Sequence, residues 1–210
     1  MRFFLPLLFL VFAGGIVSAK GENYYFVFLN TNADAPRLEV EDLTPIQQKH
    51  MATMNRLANE GKLIASGPFD SGGGFFILVA KDTVELGSML RTDTAIRMKR
   101  FIVEYYSFTF TRGKVCPLDG VNMVTYGFVR LAQSGKTIPW DEVDDTLSRA
   151  GKVLMSGSFG EGIGGVVIMK ASRKDIETVM KAGDFFIRKK IIPSVKELWI
   201  AEGTFCETAE

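Results

Sequence analysis

The chain has 210 residues, 47% of them apolar and 23% charged, with 25 Lys and Arg against 24 Asp and Glu. A charge so close to neutral excludes the field that would gather a phosphate backbone or an anionic lipid surface, so no nucleic-acid partner is expected. The length allows one medium domain or two small ones.

Residues 1–19 read as a secretory signal peptide: Arg2, an apolar run from Phe3 to Val17, then small residues through Ala19 and a polar stretch from Lys20. The run is short of the roughly 20 apolar residues that a membrane span needs, although an uncleaved anchor is the alternative reading. No cysteine follows it to take a lipid. Cleavage removes Arg2 and no acid, so the mature chain is formally neutral, with no stable membrane span, and is expected to be secreted or periplasmic. The basic runs Arg97-Met98-Lys99-Arg100 and Arg188-Lys189-Lys190 read as solvated faces.

Tyr24 to Leu29 is an aromatic and β-branched run that suits a strand covered on both faces. Thr44 and Pro45 open a helix on which Ile46, His50, Met54, Leu57 and Ala58 share one face, and Gly61 ends it. His50 is the only histidine in the chain. Lys62 to Phe69 and Phe75 to Ala80 are the next two strands, joined through Ser71-Gly-Gly-Gly74. That glycine run links strand to strand, whereas a phosphate loop opens directly into a helix. Asp82 or Thr83 caps a second helix running to about Leu90, Ala95 to Met98 form a short turn, and Phe101 to Thr111 is a fourth strand. The order is β-α-β-β-α-β.

A degenerate second copy follows about ninety residues later. Met123 to Leu131, a helix from Pro139 to Gly151, Lys152 to Phe159, Gly165 to Met169, a helix through Asp175 to Lys181, and Val195 to Phe205 repeat the order. Asp93-x-x-Ile-Arg97 and Asp184-x-x-Ile-Arg188 set the register. The predicted fold is therefore α+β, two ferredoxin-like β-α-β-β-α-β units packed as an intrachain pseudo-dimer. Each unit leaves one sheet face bare, and fusion lets the two faces bury each other without the entropy cost of association. The expected boundaries are 20–113 for the first repeat, 114–122 for a linker and 123–210 for the second. Further oligomerisation is left open. Cys116 and Cys206 fall at equivalent places after the last strand of each copy. They are either a disulfide, as an exported chain allows, or two free thiols.

The stretch His50-Met-Ala-Thr-Met-Asn-Arg-Leu-Ala-Asn-Glu-Gly-Lys-Leu-Ile-Ala-Ser-Gly-Pro-Phe69 resembles the core signature of the YCII-related proteins, small ferredoxin-like domains of the dimeric α+β barrel superfamily. Their pattern is a helix-borne His, then Gly-Lys-Leu, then Gly-Pro, with an Asp after the second helix, which here is Asp93, followed by Thr94 in place of the family's Pro. The resemblance implies a polar dyad of His50 and Asp93, and a pocket beside Gly67 and Pro68. Members with a known activity are lyase-like enzymes on small cyclic compounds, and most have no assigned activity. In the second copy Trp140 stands in the His position and Ser158 in the Pro position, so at most one such site is expected.

On chemistry, His50 can act as a general base or acid, with Asp93 orienting its ring, or it can be a satisfied core residue. Ser66, at the end of the adjacent strand, can donate a hydrogen bond, but no strand-turn-helix elbow surrounds it as a hydrolase would need. Arg97, one helical turn after Asp93, is a candidate ligand contact. One histidine, no closely spaced cysteines and scattered carboxylates make a poor metal set, and no cofactor is expected. Three functions follow: a small-molecule-binding module with its pocket near His50, a lyase or isomerase on a small cyclic or acidic compound that uses His50 and Asp93, or a structural protein-interaction module.

Overall fold

The computed structural model describes residues 23–118, 120, 122–133 and 137–207, so the expected signal segment lies outside the described residues. Strand β1 (Asn23–Thr31) leads to α1 (Val40–Asn59), β2 (Leu63–Pro68), β3 (Gly74–Ala80), α2 (Thr83–Arg91), α3 (Thr94–Arg97) and β4 (Phe101–Arg112). After the two-residue β5 (Lys114–Val115) the order recurs: β6 (Met123–Ala132), α4 (Trp140–Ser148), β7 (Lys152–Phe159), β8 (Gly164–Lys170), α5 (Arg173–Lys181), α6 (Phe185–Lys189) and β9 (Ile192–Ala201). Strand β10 (Phe205–Cys206) then pairs with β5.

The eight long strands form one antiparallel sheet in the order β2-β3-β1-β4-β7-β8-β6-β9. The first four and the last four are therefore paired in the same pattern, and β4 joins β7 between them, with Phe108 opposite Phe159. The two outermost strands also approach each other. Phe69 bridges to Leu198, the Asp70 N–H donates to the Glu197 carbonyl at 3.0 Å, and the Glu197 N–H donates to Asp70 Oδ1 at 3.1 Å. A Cβ on Gly67 would lie 2.6 Å from the Leu198 side chain, so this barrel-like closure depends on glycine there.

Alternation along the strands divides the interior into three cores. Phe26, Phe28, Phe75, Phe108, Phe128, Phe159 and Leu198 fill the barrel. Phe26 is its centre, stacked on Phe75 at 5.0 Å between centroids and tilted against Phe108 at 5.3 Å. Tyr25, Val27, Leu29 and Leu78 face outward under α1 and α2, and Val129, Leu131 and Val167 do the same under α4 and α5. Strand β1 is thus covered on both sides, which is why its sequence shows no alternation of polar and apolar residues.

Several boundaries differ from the sequence reading. Helix α1 begins a turn early, at Val40, so Pro45 lies inside it and Thr44 does not cap it. The Thr44 hydroxyl donates back to the Val40 carbonyl at 2.8 Å, and Glu41 and Asp42 lend the first turn negative charge suited to the helix dipole. The closing strand stops at Ala201, because Glu202 to Thr204 turn with Gly203 at φ +86°. Residues 114–122, expected as a linker, include β5, which β10 holds in place. The sulfurs of Cys116 and Cys206 meet at this point, with Cα atoms 6.0 Å apart.

Candidate functional site

His50 comes from the middle of α1 and Asp93 from the N-cap of α3. Asp82 caps α2 by accepting from the N–H groups of Val84 and Glu85 at 3.0 and 2.8 Å, and α2 leads the chain back toward α1. The Asp93 backbone is extended (φ −77°, ψ 124°), so its carboxylate turns onto the helix it caps. Asp93 Oδ1 accepts from the N–H groups of Ala95 at 2.8 Å and Ile96 at 3.1 Å. Its other oxygen, Oδ2, lies 2.6 Å from His50 Nδ1. Asp93 is 2% exposed and His50 7%.

This arrangement selects a tautomer. An ionised carboxylate only accepts hydrogen bonds, so Nδ1 must carry a proton and donate it to Asp93. The neutral ring then has its lone pair on Nε2. Phe76 and Phe101 pack on the ring at centroid distances of 6.0 and 5.8 Å and hold its plane.

His50 also lines a pocket of about 200 Å³. Ser66, Gly67 and Pro68 of β2 form one wall, the Gly73-Gly74 turn with Phe75 and Phe76 another, and Gln47, Met51 and Met54 flank His50 on α1. The lining has no Lys, Arg, Asp or Glu. A cavity of about 150 Å³ with apolar walls accommodates benzene, so the pocket suits a single substituted ring. Asp93 sits behind His50 and outside the lining. Arg97 is exposed and is not among the lining residues either, so the structure does not place it as a ligand contact: α3 is a single turn that buries its Asp93 end and leaves its Arg97 end in solvent. Gln47, Met51 and Met54 escaped the sequence reading as site residues, though Gln47 and Met54 stand at i−3 and i+4 from His50, where a shared helical face is expected.

The matching place in the second half is built differently. Register equates Gly74, opposite Pro68, with Gly165, opposite Ser158. There the Trp140 indole lies so close to Gly165 that an added Cβ would be 2.5 Å from the ring. Asp184, expected to stand as Asp93 does, is exposed and makes no capping bond. It pairs with Arg188 at 2.8 Å instead.

One buried acid does occur beside this filled site. Asp144 on α4 is 6% exposed; Oδ2 accepts from Arg112 Nε at 2.7 Å and from the Ser156 hydroxyl at 3.3 Å. Burial raises its pKa above the ordinary 3.8, and the pull of Arg112 and Ser156 only partly opposes this. A raised native value means that the folded state holds the proton longer. The cost of the buried charge is therefore absent below pH 3.8 and complete above the native pKa, so this contribution to stability falls as pH rises through that window. Urea unfolding of the wild type and of Asp144→Asn between pH 3.5 and 7 is expected to give a stability difference that changes with pH in this sense. A difference independent of pH would refute it.

Among the described residues no group of three or more His, Cys, Asp or Glu is arranged to hold a metal. No helix among them is long and apolar enough to cross a membrane. No protein-family model matches the chain, and no curated protein matches it in sequence. Among solved structures, it is similar to a Fusobacterium nucleatum protein designated a candidate monooxygenase, at 9% identity over 90% of this chain and 98% of that one, with a TM-score of 0.46. A Lactobacillus acidophilus protein with the same designation is 12% identical over 90% of this chain and 100% of its own, with a TM-score of 0.48.

Proposed function

We propose that the protein is an exported α+β protein of two ferredoxin-like units, related to the YCII proteins, that binds a small neutral cyclic compound beside His50 and moves a proton on it. The carrying observation is the contact between His50 Nδ1 and the buried Asp93, which leaves Nε2 as a lone pair for a ligand. The reaction class is that of a lyase or isomerase. Nε2 takes a proton from the ligand, Asp93 stabilises the imidazolium that results, and the electron pair left behind expels a leaving group or shifts along the ring. The absence of charged side chains from the lining argues for a neutral ligand, since a carboxylate there would lose its water without gaining a cation. The filled second site fits one active place per chain.

Incubating a panel of lactones and phenols with the protein in deuterated water tests this reading. A true ligand is expected to bind saturably, to perturb the single histidine ring in the NMR spectrum, and to acquire deuterium. His50→Gln is expected to keep binding but slow the exchange about a hundred- to ten-thousand-fold, the usual contribution of a positioned base. Met54→Trp, which fills the pocket, is expected to abolish both. Exchange that survives His50→Gln would leave a binding module without proton transfer. Binding that ignores Met54→Trp would discard the pocket itself.

A further inference from the structure

One end of the barrel carries charged groups that the His50 pocket does not use. At this end β1, β2, β6 and β7 finish and β3, β4, β8 and β9 begin, as the antiparallel registers require. Phe28, Tyr106 and Phe69 close the apolar interior there. Above them Arg130 of β6 crosses to the first half. Its guanidinium lies 4.3 Å from the centroid of Phe28, and Nη2 donates to Glu104 at 2.8 Å and to the Tyr106 hydroxyl at 3.1 Å. Lys196 of β9 stands opposite Phe128, two residues along from the partner of Arg130, so the two cations are diagonal neighbours on the inner face.

Lys196 is half-buried. Its ammonium rests over the Phe69 ring at 4.6 Å, and among the described residues no carboxylate pairs with it. Burial lowers its pKa, with Arg130 and Arg173 adding to the effect and Asp70 and Glu104 opposing it. Around it stand two further cations, Arg130 and Arg173, and two carboxylates, Glu104 and Asp70, so with Lys196 itself one positive charge is unmatched. Further out on the same inner face the side chains turn apolar. Ile102, two residues before Glu104, is 55% exposed, and Ile192, four before Lys196, is 73% exposed.

We propose that this end of the barrel is a second binding site, which takes a carboxylate with an apolar body, its head group on Lys196 and Arg130 and its body between Ile102 and Ile192. Each part of the arrangement then has a use. Among the described residues only Nη2 of Arg130 has hydrogen-bond partners, Glu104 and Tyr106, which keeps Nε and Nη1 for the head group. One unmatched positive charge suits a monoanion better than a phosphate dianion. The exposed isoleucines bury themselves against the ligand instead of water.

Titrating octanoate, octanol and inorganic phosphate separately into the purified protein, followed on the isoleucine methyl signals, tests the assignment. Octanoate is expected to saturate and to shift Ile102 and Ile192 while the His50 ring stays unmoved. Octanol and phosphate are expected to bind far more weakly, each lacking one half of the interaction. Lys196→Met is expected to weaken octanoate about tenfold, the loss of one charge-assisted hydrogen bond. Ile192→Glu alters a largely exposed side chain, leaves the core untouched and sets a like charge at the rim. It is expected to weaken octanoate even if Lys196→Met proves unstable. Octanol binding as tightly as octanoate would reduce the site to an apolar patch, and phosphate binding as tightly would reduce it to a bare anion site. Shifts at His50 in place of the isoleucines, or affinity untouched by both variants, would overturn the proposal. None of these results bears on proton exchange at His50, so the two sites stand or fall separately.

Discussion

Asp93→Ala is expected to destabilise the protein by about 2–4 kcal/mol, the cost of an orphaned buried donor together with a lost N-cap. The carboxylate serves two structures at once. Oδ1 holds the first turn of α3 through two N–H groups, and a lost N-cap alone costs about 1 kcal/mol. Oδ2 satisfies the His50 Nδ1 proton, which would otherwise be left in a space lined by Phe76 and Phe101. Asp93→Asn separates the two duties. Its amide oxygen can still cap α3, so stability is expected to fall much less. Its NH₂ group, however, faces His50 Nδ1 as a donor, which forces the ring proton onto Nε2 and removes the lone pair that proton transfer needs. Urea unfolding reads the first effect, and the nitrogen shifts of the single histidine read the second. An alanine variant as stable as the asparagine one would mean that the His50 contact contributes little. An asparagine variant with an unchanged tautomer would break the proposed link between Asp93 and the base.

The sequence made some of this site legible and hid the rest for physical reasons. His50 could be found because it is unique and lies on the apolar stripe of α1, and the resemblance supplied Asp93 as its partner. Asp93 and Asp184 share the spacing Asp-x-x-Ile-Arg and were read as equivalents. Spacing does not fix ψ, however: the backbone is extended at Asp93 and near 6° at Asp184. Only the first conformation aims the carboxylate at its own helix and inward to His50, while the second leaves it in solvent with Arg188. The β-α-β-β-α-β order was readable twice because glycine turns and capping residues punctuate it. The early start of α1 was not, because Glu39 precedes it without a side-chain cap and Pro45 reads as a first-turn residue. Asp144 and Ser156 were invisible as a pair, since their contact depends on how α4 settles over β7. Arg112, which completes it, arrives from β4 of the other half.

Exchanging Cys116 and Cys206 for serine is expected to destabilise the protein strongly. The two residues are 90 apart, and a cross-link over that length stabilises by about 4–5 kcal/mol in the chain-entropy account, through the unfolded state. The native state gives the bond a local use as well. Strands β5 and β10 are two residues each, and an isolated pair that short is not stable in water. What they anchor matters: β5 follows β4, the strand that joins the two halves, and β10 follows β9, the strand that meets β2 across the closure. Releasing the cross-link therefore frees both chain segments next to the barrel's two seams. The check is urea unfolding of the wild type with and without reductant, beside the double serine variant and a thiol count on the purified protein. No titratable thiol, and a midpoint that drops alike on reduction and on mutation, fit a bridge formed in an oxidising compartment and support export. Two titratable thiols and an indifferent midpoint would mean that the cysteines stay reduced, and would count against export.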